Sequence, residues 1–270
     1  MKPAIEYAHV CYKKHGAIAY ITLNRPHVLN AMNLRMHEDL GSIWNDFEAD
    51  DSIRVGVLSG ASEKAFCVGQ DLVELAQLNR TGLGVVSSFG SRREVSGLRL
   101  TERFDRVKPL VAKVHGYALG GGFELALACD IIVASEDAKF ALPEAKLGLI
   151  PGAGGIFRLG RQMPERSALG YLMTGRTMTA TRAWEFGLIN EVVPAEKLDA
   201  CVDGWVQDLL RSAPLSLRAI KEAISKSALL PMEQAFGIDY HWENIRKTSE
   251  DALEGPRAFM EKRLPNWQGR

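Results

Sequence analysis

Glu124 follows Gly120, Gly121 and Gly122 in a run that passes from a short apolar, strand-like segment into an Ala- and Leu-rich helical one. Glycine permits backbone angles and close approaches that a side chain would block. At a helix start the first N–H groups lack intrahelical acceptors, and the peptide dipoles favour negative charge there. An exposed amide with a carboxylate on the first turn suits a reaction that passes through an oxyanion. A second carboxylate, Glu144, follows Pro143, and a second glycine-rich helix start runs from Pro151 through Gly152 to Gly155.

Each feature also has a plainer reading. A lone glutamate on a first turn usually compensates the helix dipole at the surface, but Phe123 and Leu125 flank Glu124 in a segment apolar enough to be buried. Glu144 alone reads as a turn residue after Pro143; its pairing with the glycine run favours a functional role. The run Gly152–Gly155 imitates a dinucleotide fingerprint, yet Phe157 occupies the last glycine position and Pro151, not a strand, precedes it. No Walker A or H-E-x-x-H pattern occurs, and the six histidines show no ligand spacing, so no metal is expected and each histidine reads as structural or surface. Asp71 reads as a helix cap.

The elements that must position these groups alternate. Ala17–Leu23 and Ile53–Gly60 are rich in β-branched residues and predict strands, with a helix from Asn33 to Ala49 between them. The segment Phe66–Leu72 predicts a buried strand end running into a helix. Residues 77–97, with Arg80, Arg92 and Arg93, predict a loop or mobile helix over the site, or a solvated connector. Strands follow at Pro109–His115 and Asp130–Ser135, then an extended run from Phe140 to Ile150 that turns at Pro143. A helix is expected from Thr179 to Phe186 and a short strand from Leu188 to Val193. Beyond Glu196 strand signals vanish, and amphipathic helices are separated by Pro214, Pro231 and Pro256. The expected organisation is an α/β body over residues 1–200 and a helical appendage over 201–270, short enough to need packing on the body or on another subunit.

Composition narrows the classes. The 270 residues hold 33 Lys plus Arg and 33 Asp plus Glu, so net charge is zero and nothing draws the whole chain to nucleic acid or anionic membrane. Four scattered cysteines without C-x-x-C spacing suit a reducing compartment. With no signal-like start and no uncharged span of membrane length, a cytoplasmic protein is expected.

Taken in register, Leu23–Ala31, Phe66–Asp71, His115–Asp130, Phe140–Gly155 and Ser249–Arg263 resemble the crotonase (enoyl-CoA hydratase/isomerase) superfamily over nearly the whole chain. The resemblance implies a crotonase-like spiral of repeated strand–strand–helix units with a C-terminal helical region that drives trimerisation, as a homotrimer or a dimer of trimers. It implies an acyl-CoA thioester substrate, coenzyme A being part of that substrate and no separate cofactor being needed. Two backbone amides, Val68 N–H and Gly121 N–H, would hold a thioester enolate, with Val68 crowding the acyl group. Glu144 would carry the main acid/base role and Glu124 would orient the water and share its proton, with Gly152 donating an N–H to a glutamate or the water. Burial against Phe123 and Leu142 would raise a glutamate pKa toward neutrality.

The same likeness puts His27, Val28, Leu29 and the segment carrying Phe66, Gly69, Gln70 and Asp71 around coenzyme A, with Gly120 beside the oxyanion strand. Arg25, Lys262 and Arg263 are candidates for the nucleotide phosphates, or ordinary surface cations. The expected activity is reversible addition of water to a 2-enoyl-CoA, and the glycine and Pro143–Glu144 segments look similar to carnitinyl-CoA dehydratase-like members. A double-bond isomerase works with one glutamate, so two favour hydration. A thioester hydrolase using the same oxyanion hole and an RNA-binding member are more remote, the latter disfavoured by the charge balance.

Overall fold

The computed structural model describes residues 7–80 and 99–270, so Arg92 and Arg93 of the expected lid lie outside the described residues. Strands β1 (Val10–His15) and β2 (Ile18–Leu23) form an antiparallel hairpin. The sequence reading lacks β1, and its burial explains why: only Val10 is buried, and Lys13 and Lys14 lie exposed on what proves to be the sheet edge, where charged side chains discourage pairing with other chains. Helix α1 (Leu34–Ala49) starts where Asn33 accepts the Met36 N–H at 3.0 Å. It turns Met36, Leu40, Ile43, Trp44 and Phe47 inward.

Three strand–strand–helix units follow: β3 (Val55–Gly60), β4 (Ala65–Cys67) and α2 (Leu72–Arg80); β5 (Leu110–Val114), β6 (Tyr117–Leu119) and α3 (Gly121–Leu127); β7 (Ile131–Ser135), β8 (Lys139–Ala141) and α4 (Gly155–Gln162). Positions 77–80, expected within the lid, instead complete α2. After β8 the chain turns at Pro143, as expected, and the turn is helical. Pro143 (φ −84°, ψ 6°) starts a 3₁₀ turn over Glu144–Leu147, which Gly148 ends at φ +69°. Helix α5 (Glu165–Thr174) is also absent from the sequence reading, because Ala168 alone is buried and little periodicity marks it. Then come β9 (Met178–Thr179), α6 (Ala180–Glu185) and β10 (Glu191–Val193).

The first strand of each unit joins a six-stranded sheet of order β1-β2-β3-β5-β7-β10, and the second joins a four-stranded sheet of order β4-β6-β8-β9. From β2 onward the larger sheet is parallel. Parallel strands need both faces covered, which accounts for their near-continuous apolar sequences. On one face Val55, Val57, Val111 and Val133 pack against Leu198, Val202 and Val206 of α7 (Leu198–Arg211). On the other, Leu58, Ala112, Ile132 and Ala134 share a core with α1, α3 and the smaller sheet.

After Val193 the described chain is helical: α7, α8 (Pro214–Ser227), α9 (Met232–Phe236), α10 (His241–Lys247) and α11 (Glu250–Met260). Lys221 Nζ anchors α8 to the body through Asp130 Oδ2 at 2.8 Å. Among the described residues no helix is long and apolar enough to cross a membrane.

Candidate active site

Backbone stitching brings the glycine runs together. Asn30 is fully buried in a left-handed conformation (φ +57°), which Asn tolerates better than most residues. Its Oδ1 accepts the Arg25 N–H at 3.0 Å, and its Nδ2 donates to Ala65 O at 3.1 Å and Phe66 O at 3.0 Å. Met32 N–H donates to Gly69 O at 2.7 Å, and Asp71 N–H donates back to Met32 O at 2.9 Å. These bonds hold the loop after β2 onto the segment between β4 and α2. Replacing Asn30 by Ala removes three hydrogen bonds, two of them buried. We expect Asn30→Ala to cost about 2–3 kcal/mol of stability, read as a lowered Tm; an unchanged Tm would refute this role.

Gly69 (φ +91°) lets the β4–α2 segment touch the start of α3: a Cβ there would stand 2.8 Å from Gly121 N. At Gly122 a Cβ would lie 2.1 Å from Cys67 O, so only glycine lets α3 settle against β4. The Gly121 N–H, first in its helix, has no hydrogen-bond acceptor among the described residues. The Val68 N–H donates to Leu29 O at 3.2 Å, the long end of the normal range. Gly121 thus offers an open donor, whereas the Val68 N–H is engaged with Leu29.

Both glutamates line the same cavity as Val68, Gly120 and Gly121. Glu124, 3% exposed on the first turn of α3, accepts the Gly155 N–H at 2.8 Å through Oε1. Burial raises its pKa to about 7; the Gly155 and Ala153 amides pull downward and the Glu144 charge adds to the rise. Glu144, at the head of the 3₁₀ turn, has its Oε1 3.1 Å from where a Gly120 Cβ would be, so that glycine makes room for the carboxylate. Its Oε2 is buried without a hydrogen-bond partner, and burial raises its pKa too. One carboxylate is pinned and the other holds a free oxygen.

Other expected residues fall differently. The N–H that fixes a glutamate comes from Gly155 rather than Gly152, which lines the cavity. Arg25, expected at phosphates, is committed internally: Nη1 reaches Ala31 O at 2.6 Å and Asp71 Oδ2 at 2.9 Å. Asp71 also caps α2, its Oδ1 accepting the N–H groups of Val73 at 3.1 Å and Glu74 at 3.3 Å. Pro26–Val28 forms a 3₁₀ turn with His27 exposed and Leu29 left-handed, and the Phe66 side chain belongs to the core. Arg263 pairs with Glu254 and Glu261 at 2.6 Å each, and Lys262 neighbours it at the end of α11 with φ +53°. Gln70 lines the cavity beside His37, Trp44, Arg99 and Thr101, none of which local sequence pattern singles out.

The chain as a whole is also similar to known proteins. Residues 13–270 match the family model described as enoyl-CoA hydratase/isomerase. The chain is 41% identical over 264 residues to a carnitinyl-CoA dehydratase of Citrobacter koseri, covering 96% of this chain and 98% of that one. It is 42% identical over 262 residues to a carnitinyl-CoA dehydratase of Salmonella enteritidis, covering 95% and 97%. Among solved structures, an enoyl-CoA hydratase from Bacillus anthracis superposes with a TM-score of 0.87 at 32% identity, covering 97% of this chain and all (100%) of that one. An enoyl-CoA hydratase from Mycobacterium tuberculosis H37Rv gives 0.85 at 35%, covering 97% and 99%.

Proposed function

The chain belongs to the enoyl-CoA hydratase/isomerase family, and on that premise we propose that it adds water reversibly across the C2–C3 double bond of a 2-enoyl-CoA thioester. The observation that carries this reading is the cavity shared by Glu124, Glu144 and the open Gly121 N–H. Hydration places hydroxyl on C3 and drives electrons onto the thioester oxygen. Gly121 N–H faces that oxygen, and Val68 N–H joins it. A preorganised donor of this kind contributes about 3 kcal/mol to the barrier reduction.

The free oxygen of Glu144 takes a proton from the attacking water as the C3–O bond forms. The resulting enolate collapses, and the same proton is delivered to C2, restoring the carboxylate. Glu124, fixed by Gly155, accepts the water's other O–H and aims its lone pair. Burial raises both pKa values, which suits this work, because a desolvated carboxylate is a stronger base for the water's proton. Loss of water from a 3-hydroxyacyl thioester uses the same groups in reverse, and the names of the curated relatives favour that direction as a second reading.

Incubation with but-2-enoyl-CoA is expected to bleach the 2-enoyl thioester absorbance and yield a product heavier by one water. Thiol release, or a shifted double bond without mass gain, would replace the hydratase reading by a hydrolase or an isomerase.

A further inference from the structure

Helix α4 starts at the turn that pins Glu124, and one of its own side chains reaches back over that turn. Gly154, just ahead of α4, is left-handed at φ +98°. Arg158 follows one helical turn later, and its Nη1 takes the space that a Cβ on Gly154 would need. Nη1 donates to Ala153 O at 3.3 Å, a long bond, and Nη2 donates to Thr101 O at 2.8 Å. Thr101, in the 3₁₀ turn Leu100–Glu102, and Ala153 both line the cavity. One guanidinium thus ties a cavity wall to the start of α4.

The turn held in this way is the one that holds Glu124. The Gly155 N–H donates to Glu124 Oε1 at 2.8 Å, and a Cβ on Gly155 would come within 3.0 Å of the same oxygen. Carboxylate and helix start are therefore in contact, and a shift of the turn moves the carboxylate with it. Arg158 also acts through space: its charge favours the Glu124 carboxylate against burial, while the Glu144 charge opposes it. Burial lowers the Arg158 pKa and the Glu124 charge resists that fall, but an arginine stays charged at neutral pH. Its planar fork, with donors fixed in direction, suits two carbonyls on separate segments.

We propose that Arg158 is a positioning residue for hydration: it clamps the Ala153–Gly155 turn to Thr101 and so keeps the Gly155 N–H on Glu124, which aims the attacking water. The proposal rests on the hydratase reading. In this role Arg158 acts through Glu124 and not on the substrate.

The test is a double-mutant cycle of Arg158→Gln with Glu124→Ala, reading kcat and KM for but-2-enoyl-CoA beside a thermal melt. In the wild-type background Arg158→Gln is expected to lower kcat by at least about tenfold while KM changes by less than about threefold, because a poorly aimed water slows the step without loosening the thioester. In the Glu124→Ala background no carboxylate remains to be positioned, and the same substitution is expected to cost less than about threefold in kcat. Unchanged kcat in the wild-type background overturns the proposal, whether or not KM rises. Equal losses in both backgrounds also overturn it, because Arg158 would then serve the fold and not Glu124. Where Arg158→Gln does not fold, Arg158→Lys, which keeps the charge and loses the fork, runs the same cycle under the same criteria. Wild-type protein that does not hydrate but-2-enoyl-CoA overturns the hydratase reading and this proposal with it; either failed cycle beside an active wild type overturns this proposal alone.

Discussion

Glu144→Ala is expected to lower kcat for hydration of but-2-enoyl-CoA by about 10³-fold while KM changes by less than about threefold. The thioester is held by backbone donors and by cavity walls that the substitution leaves in place, whereas proton transfer to and from the substrate is lost. Unfolding does not offer a competing explanation. Glu144 Oε2 has no partner to orphan, and the raised pKa shows that the buried carboxylate is held at a cost. The variant should therefore melt at or slightly above the wild-type temperature. Steady-state kinetics beside a thermal melt check both halves. A Glu144→Ala enzyme with normal kcat would move the acid/base role to Glu124, and a collapse of KM alone would make Glu144 a binding group.

What the sequence discloses about this site is local. The spacing from Gly121 to Glu124 places an unpaired amide and a carboxylate on one helix turn, and the strand–helix alternation places that turn at a sheet end. The roles it misses are those set by chain segments far apart in sequence. Arg25 looks like a free cation until Asp71, 46 residues away, is seen at 2.9 Å. Gly152 and Gly155 are indistinguishable as helix-start glycines, and only the approach of α3 to α4 makes Gly155 the donor to Glu124, 31 residues earlier. Glu144 is legible as a turn carboxylate after Pro143, but the 3₁₀ form of that turn, entered at Pro143 with φ −84° and ψ 6°, is not. His37 and Arg99 meet at one wall although 62 positions separate their numbers; no periodicity within α1 marks His37 as facing a cavity rather than solvent.

Glu124→Gln is expected to abolish most activity, by about 10²-fold or more in kcat, and at the same time to stabilise the protein in mildly alkaline solution. The glutamine keeps an oxygen for the Gly155 N–H but cannot share a proton with the water or bear charge. Burial lifts the wild-type carboxyl from 4.5 to about 7 in the folded protein. Between those values the folded chain keeps a proton that the unfolded chain has released. Stability from this group is thus fully present below about pH 4.5 and is lost as pH rises toward and through about 7. The complete loss corresponds to about 3 kcal/mol, since each tenfold change in proton affinity is worth about 1.4 kcal/mol. A neutral amide escapes that loss, so the Tm of Glu124→Gln should exceed wild type by roughly 5–10 °C at pH 8, with the gap closing near pH 4.5. Melts across this range, paired with the hydration assay, decide the matter. An equal offset at both pH values would mean that the amide repacks the site rather than relieving a buried charge. A variant that is less stable at pH 8 would mean that the wild-type carboxylate is compensated there, and Glu124 would then lose its claim to a pKa near neutrality.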